Sequence, residues 1–594
     1  MKRKFVLIPL TLFALTMSGC NATSSKGGSK KSSSSDVLTS TTGVSSNSGG
    51  SATSTSISIP TSSSSSGWVT PVITDPFSIV NGDGEAAGFE LAGSTYTINT
   101  SGTYTLSGKL EGRIIINATK NDTIELDLNG VEISSSENSP IFVQKADKVK
   151  IKSLEDTVNS IIDSRANKVA DADDQYEGAI AAKADLNIIG RGRLQVEGNY
   201  NNGIHTSKDL KIKNTELYVY GYQHALRGGN GIEILNNDTK IYAIGKTGDG
   251  LKSNDAAVSD KGNQKGTISI SGGLVNIHAQ CDGIDAAYDV IIQDGTDEDS
   301  DEPSSPTVNI YTDKYATLTK AGPGPGWDDS GNSNKSSTTA KGIKAHNAVT
   351  VSGGQIYCKC YDDGLHANNE PLTDSDDVET GVNGTGNITI SGGNITIDCS
   401  DDGMHADATL TISGGNINVL TSFEALEGHD IVISGGTSRV LGTDDGINAG
   451  GEENPTITIT GGFVEVTVSP SGDTDGIDSN GTYTQTGGIV ITKGPNNNNS
   501  SALDHEGSAT INGGTIIALG AIENQNTRWG GGGGPGGGPG GGEVTYGSNM
   551  SQYNLSLHSA GNHTVTIGGV QYSFSNTYSY GRTICYSDTP VSGS

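Results

Sequence analysis

Six times the sequence runs Asp-Gly followed by an apolar residue. The copies are Asp249-Gly250-Leu251, Asp282-Gly283-Ile284, Asp363-Gly364-Leu365, Asp402-Gly403-Met404, Asp445-Gly446-Ile447 and Asp475-Gly476-Ile477. Some carry a second acid immediately before (Asp362, Asp401, Asp444) and some an acid three residues later (Asp285, Asp478). Carboxylates that recur at one register are hard oxygen ligands. Ca2+ suits them, because it accepts several oxygens in flexible geometry, turn carbonyls included. Three clusters are expected: Asp249 with Asp282 and Asp285; Asp362, Asp363, Asp401 and Asp402; and Asp444, Asp445, Asp473, Asp475 and Asp478. The alternative is that these aspartates accept backbone N–H bonds and cap turns without a metal.

A second set lies two residues after the Gly position: His205, Arg227, Lys252, Lys344, His366 and His405. It points outward if the intervening Ile or Leu points inward. Lys252, Lys344, His366 and His405 are the candidate contacts to an acidic sugar. A neutral Lys252 beside the first acid cluster could also remove the proton alpha to a uronate carboxylate, the step of a lyase. The bland alternative is a solvated face that balances the aspartates.

Both sets need a scaffold that brings one sequence position into register with its copies. The sequence contains it. A phrase [I/V]-S-G-G recurs at Ile270, Val351, Ile390, Ile412 and Ile433, with looser copies at Ile459 and Ile511, and it alternates with the Asp-Gly phrase. Successive copies commonly lie about 21 to 26 residues apart, and longer gaps hold insertions. Alternation such as Asn394-Ile395-Thr396-Ile397 marks strands with one face inward. Gly-Gly supplies corners. Three short strands per turn predict an all-β fold, a right-handed parallel β-helix with β-rich end caps. Coils stack at about 4.8 Å. Two carboxylates at that distance repel by about 3.5 kcal/mol at an effective dielectric near 20. An acid column therefore calls for a cation or for protons.

Composition agrees. The 594 residues carry 37 Lys+Arg against 67 Asp+Glu, a formal net charge of −30, which argues against a nucleic-acid partner. With 85 Gly and 5% aromatics, a repeat fits better than an aromatic-rich globular core. Residues 1–20 read as a lipoprotein signal peptide: Lys2-Arg3-Lys4, a short apolar run, then Met17-Ser18-Gly19-Cys20, with Cys20 as the lipidation site. Residues 21–74 read as a Ser/Thr/Gly-rich disordered tether. Residues 75–529 make the β-helix, 530–542 a Gly/Pro-rich loop and 543–594 a C-terminal β cap. Cys358, Cys360 and Cys399 fall at inward positions and read as a buried apolar row, with a Cys360–Cys399 disulfide open between neighbouring coils. The acid-dense run 294–302 reads as a solvated charge run.

The chain resembles the bacterial carbohydrate-binding-domain β-helix family, exported proteins related in fold to polysaccharide lyases. The resemblance runs from about Phe77 to Thr527. It is carried by Thr103-Tyr104-Thr105-Leu106-Ser107-Gly108, Leu126-Asp127-Leu128-Asn129-Gly130-Val131, Gly198-Asn199-Tyr200-Asn201-Asn202-Gly203-Ile204 and Lys208-Asp209-Leu210-Lys211-Ile212. It implies a right-handed parallel β-helix with bound Ca2+ that holds cellulose or acidic plant polysaccharide such as polygalacturonate. The acid pairs above match the positions where that family places Ca2+ ligands. The chain departs from the pattern at Asn202, Lys341 and Glu424-Ala425.

The expected function is Ca2+-dependent, non-catalytic binding of an extracellular polysaccharide by a monomer. The expected location is extracytoplasmic, at the cell surface or on the membrane, which it touches only through its N-terminal lipid. A Ca2+-dependent pectate-type lyase and a structural rod or adhesin are the alternatives. Trp68, Trp327 and Trp529 lie in linker or Gly-rich segments, so no tryptophan platform for crystalline cellulose is visible. Tyr218, Tyr220 and Tyr222 could supply part of one.

Overall fold

The computed structural model describes residues 68–69, 71–166, 177–312, 339–451, 453–470, 472, 474–495, 500–522 and 544–593. The signal peptide, Cys20, most of the tether, Asp473, Trp327, Trp529 and the loop 530–542 lie outside the described residues.

All the described regular structure is β. Strands of each coil pair in parallel with their equivalents in the next, on three faces. The first face runs from Lys148–Ser153 through Asp185–Ile189 and Asp209–Lys213 to Asn387–Ile390 and beyond. The second runs from Val158–Asp163 through Arg193–Gly198 and Glu216–Gly221 to Asn394–Asp398 and beyond. The third, which carries the chemistry, runs from Arg113–Asn117 and Ile141–Lys145 through Gly178–Ala182 and Asn202–Thr206 to Ile447–Ala449 and Ile477–Ser479. This is the parallel β-helix that the repeat predicts.

Register on the third face keeps like positions in line. Ile180, Ile204, Leu226, Leu251, Ile284, Ile343, Leu365, Met404, Leu426, Ile447 and Ile477 pair successively and point inward without exposure. Each such side chain contributes about 1.5–3 kcal/mol relative to exposure. Cys358, Cys360 and Cys399 join this interior as buried free thiols, so no Cys360–Cys399 disulfide forms.

The two glycine phrases answer different demands. The second Gly of each Gly-Gly corner takes a left-handed backbone, with φ of 79° at Gly273 and 83° at Gly415. The Gly after each Asp is needed for room. A Cβ on Gly283 would lie 2.3 Å from Ile310 Cγ2 and 2.7 Å from the Gly342 carbonyl oxygen.

Both ends are covered, which removes open edges. At the N-terminal end Ser78–Asn81 pairs antiparallel with Gly102–Glu111. At the other end Thr583–Ser587 closes antiparallel on Ala509–Leu519, and a three-stranded antiparallel sheet builds a second small core around Ile517, Leu557, Phe574 and Tyr580.

Two expectations change. The tether stops short of residue 74: the Val69 N–H donates to Gln195 Oε1 at 2.7 Å on the second face. The acidic run 294–302 is not simply solvated. Glu298 pairs with Lys211 and Lys213 at 2.9 and 3.1 Å, and Asp299 with Lys213 at 3.0 Å. Long side chains on the first face recruit it.

Candidate functional site

The residues preceding the Gly positions form one column along the rod: Asn202, His224, Asp249, Asp282, Lys341, Asp363, Asp402, Glu424, Asp445, Asp475 and Ser501. Each carbonyl accepts the N–H that follows the same position one coil back, as in Gly250 N–H to Asp282 and Gly364 N–H to Asp402. The side chains continue the ladder. Asp249 Oδ1 accepts the Asp282 N–H at 3.0 Å, Asp282 Oδ1 that of Lys341 at 2.8 Å, Asp363 Oδ1 that of Asp402 at 3.2 Å, and Asp445 Oδ1 that of Asp475 at 2.7 Å. One oxygen of each aspartate is thus committed to capping the next coil. The second oxygen meets the chain's own groups: Asp249 Oδ2 faces His224 and Lys252, Asp282 Oδ2 accepts from Thr339, and Asp363 Oδ2 faces Lys341 and His366.

The first cluster, Asp249, Asp282 and Asp285, comes together with its oxygens within 4.8 Å of one another, all buried. A protein cation already sits there. Lys252 Nζ pairs with Asp285 and lies 3.5 Å from Asp249 Oδ2. His224 Nδ1 is 3.2 Å from Asp249 Oδ2, His346 Nε2 is 3.2 Å from Asp285, and the Thr339 hydroxyl donates to Asp282 at 2.6 Å. Burial pushes Asp285 up, but Lys252 and Lys344 outweigh it and hold it well below the ordinary carboxylate range. Burial, with Asp249 and Asp285 nearby, pushes Asp282 up to about 7 against the pull of Lys344. Lys252 itself is raised: burial lowers it, and Asp285 and Asp249 more than compensate. A lyase base must be a neutral amine, so Lys252 is badly placed for that role.

The second cluster splits. Asp362, Asp363 and Asp401 stay together. Lys341 fills their centre, pairing with Asp363 and lying 3.1 Å from Asp362. Asp402 instead faces His405 and Glu427: His405 Nδ1 lies 3.1 Å from Asp402 Oδ2 and 2.7 Å from Glu427 Oε2.

The third region has a different balance. Glu424, Asp444 and Asp445 gather within 4.8 Å. Burial and the neighbouring Glu427 and Asp445 push Glu424 well up. Burial, then Asp445 and Asp504, push Asp475 up to about 10. Burial, then Asp504, Glu506 and Asp444, push Asp478 up to about 7. Among the described residues, the charges that raise these three groups are acids.

The outward set is less exposed than expected. On the third face it pairs in the order Ala181, His205, Arg227, Lys252, Asp285, Lys344, His366, His405, Glu427, Asn448 and Asp478. Lys344 and His366 are buried. His366 gives Nδ1 to Asp363 at 2.6 Å. Among the described residues no carboxylate lies within ion-pair distance of the Lys344 ammonium, which acts on Asp282 and Asp285 through space. Tyr218 is covered rather than presented: it stacks on Tyr242 at 4.5 Å, with the Arg193 guanidinium 4.8 Å over its ring.

Sequence reasoning marked Lys341 only as a departure from the repeat, missed its pairing with the acids, and passed over His224. His224 stands at the Asp position of the phrase His224-Ala225-Leu226, and Lys341 at that of Lys341-Gly342-Ile343. The repeat spacing alone marks both.

A family model described as carbohydrate-binding domain-containing protein matches residues 92–375 and 370–425, more than half of the chain. The chain belongs to that family. A relative of the same description from Acetivibrio thermocellus is 34% identical over 160 residues, which cover 27% of this chain and 56% of the relative. The chain thus spans about half the length of the curated relative it matches. A polysaccharide lyase-like protein from C. thermocellum, solved as a gadolinium derivative, is 28% identical, with a TM-score of 0.34 over 38% of this chain and 86% of that one.

Proposed function

We propose that this family member binds polysaccharide without cleaving it, and that Ca2+ mediates the binding. The observation that carries this reading is the stretch around Glu424, Asp475 and Asp478, where carboxylates are buried against carboxylates and held above their ordinary range. Ca2+ would supply positive charge to these acids and accept their oxygens in flexible geometry. Glu424, Asp444, Asp445, Asp475 and Asp478 are the residues that would hold it. An ion with open coordination can bridge to the carboxylate of a uronic acid. That explains how a chain of net charge −30 could hold an anionic polymer. Acidic plant glycan, polygalacturonate or pectin, is the proposed ligand, with cellulose second. Lys344 is the proposed direct contact to a sugar carboxylate. Non-catalytic binding is favoured over lyase action because Lys252 is held as a cation between Asp249 and Asp285. The sequence Met17-Ser18-Gly19-Cys20 supports tethering by a lipid on Cys20, outside the cytoplasm.

The test is retention of the protein on immobilised polygalacturonate in Ca2+ and then in excess chelator, with the eluate assayed for unsaturated uronate. Retention lost on chelation, without unsaturated product, is the expected result. No retention in either buffer would remove polygalacturonate as the ligand. Unsaturated product would restore the lyase.

A further inference from the structure

Midway along the third face the column changes chemistry. His366 and His405 occupy paired positions on adjacent coils, with ring centroids 4.6 Å apart. The next position in register is Glu427. One coil supplies Asp363, whose Oδ2 lies 2.6 Å from His366 Nδ1. The next supplies Asp402, whose Oδ2 lies 3.1 Å from His405 Nδ1, and Glu427 Oε2 approaches that same nitrogen to 2.7 Å. Donor atoms of Asp363, His366 and His405 lie within 4.8 Å of one another, and so do those of Asp402, His405 and Glu427. The two groups overlap at His405.

We infer that this overlap is a site for a first-row transition metal of the Zn2+ class, with His366 and His405 as nitrogen ligands and Asp363, Asp402 and Glu427 as oxygen ligands. Donor chemistry separates it from the Ca2+ stretch. Ca2+ takes oxygen ligands, whereas imidazole nitrogens beside carboxylates suit Zn2+, Ni2+, Cu2+ or Co2+. The side chains are already oriented toward one another across two coils. Asp402 and Glu427 both approach His405 Nδ1, and a divalent ion can take the place of a proton there, as metal binding to histidine requires. Lys341, which also touches Asp363, keeps Asp362 as a partner at 3.1 Å. Asp407 closes the outer side, with Oδ1 3.7 Å from His366 Nε2 and 3.5 Å from His405 Nε2. It can fix the ring orientations, as outer carboxylates do for metal-bound histidines.

The experiment is titration of the full chain with Co2+, read by visible absorption, and with Zn2+, read by X-ray absorption at the metal edge. Ca2+ is held in excess throughout. The expected result is a Co2+ ligand-field band, an edge spectrum with imidazole scattering from two histidines, and no displacement by Ca2+. Because loss of an outer partner alone costs about 10–100-fold in affinity, His366→Gln with His405→Gln should cost more than about 100-fold. Circular dichroism shows whether that variant keeps its strands, and the wild-type edge spectrum needs no variant at all. An all-oxygen shell, displacement by Ca2+, or unchanged affinity in the folded double variant would overturn the assignment.

Discussion

One column of stacked turns carries two electrostatic solutions. Between Asp249 and His405 most of the acids have a partner within the chain: Lys252 lies between Asp249 and Asp285, Lys341 lies between Asp362 and Asp363, and His405 lies between Asp402 and Glu427, although burial and acidic neighbours still raise Asp282 and Asp402. From Glu424 to Asp478 the neighbours that shift Glu424, Asp475 and Asp478 are other acids. The backbone is the same in both stretches, with the same parallel register and the same capping of one coil by the aspartate of the coil before. The difference shows that a β-helix repeats positions, not partners. One changed residue in a phrase, as with Lys341 where Asp stands elsewhere, turns a cluster of acids into a buried ion pair.

The largest effect should come from removing a built-in cation. Lys341→Met leaves Asp363 buried without its lysine, and breaking a buried pair in this way costs about 3–5 kcal/mol. Urea unfolding measures it. A loss below about 1 kcal/mol would mean that Lys341 is not what balances Asp362 and Asp363.

Next in size is the response to Ca2+. Ligand at 100 times its Kd stabilises by about 2.7 kcal/mol. The unfolding midpoint should rise on adding Ca2+ to chelated protein. In Asp475→Asn/Asp478→Asn that rise should largely vanish, while the chelated variant should be more stable than chelated wild type. Equal responses in the two proteins would erase the distinction between the stretches.

The pH dependence should have opposite signs at Asp478 and at Asp285. Asp478 has a folded pKa raised to about 7 from 3.8. Its contribution is full below about pH 4 and is lost as pH rises through 7. Asp285 is held well below 3.8, so its contribution is present above that value and is lost as pH falls through the lowered one. Hydrogen exchange in chelator, followed from pH 5 to pH 8, should therefore show loosening around Ile477–Ser479 and steady protection around Leu365–Ala367, where Asp363 is likewise held well below its ordinary range; Ile284–Ala286 is no control, because Asp282 beside it is raised to about 7. Loosening of both together would contradict the contrast.

The smallest structural effect belongs to Lys344→Ala. Its ammonium makes no ion pair among the described residues but lowers Asp282 and Asp285 through space, so the loss of stability should stay below that of Lys341→Met. Retention on polygalacturonate should weaken. Unchanged retention would remove Lys344 as a sugar contact.

Much of the fold was legible in the sequence. The Gly-Gly corners and the Asp-Gly turns recur at a spacing that only stacked coils explain, and Gly273 and Gly283 take the roles of corner and close contact. The acid groups were legible too, since column membership follows from spacing. Their partners were not. Asp285 and Asp478 stand in the outward set with the lysines and histidines, and whether a neighbour in that set is Lys252 or Asn448 depends on register across coils separated by insertions. The burial of Lys344 and His366 escaped sequence reading because it depends on what lies above and below the strand. The docking of Val69 on Gln195 joins residues 126 apart with no repeat to signal it.

The most direct test of the contrast is Ca2+ calorimetry on wild type and two paired variants, Asp475→Asn/Asp478→Asn and Asp249→Asn/Asp282→Asn. Heat of binding lost in the first and kept in the second is the predicted result. Loss in the second with the first unaffected would place the ion in the lysine-filled stretch and contradict the account.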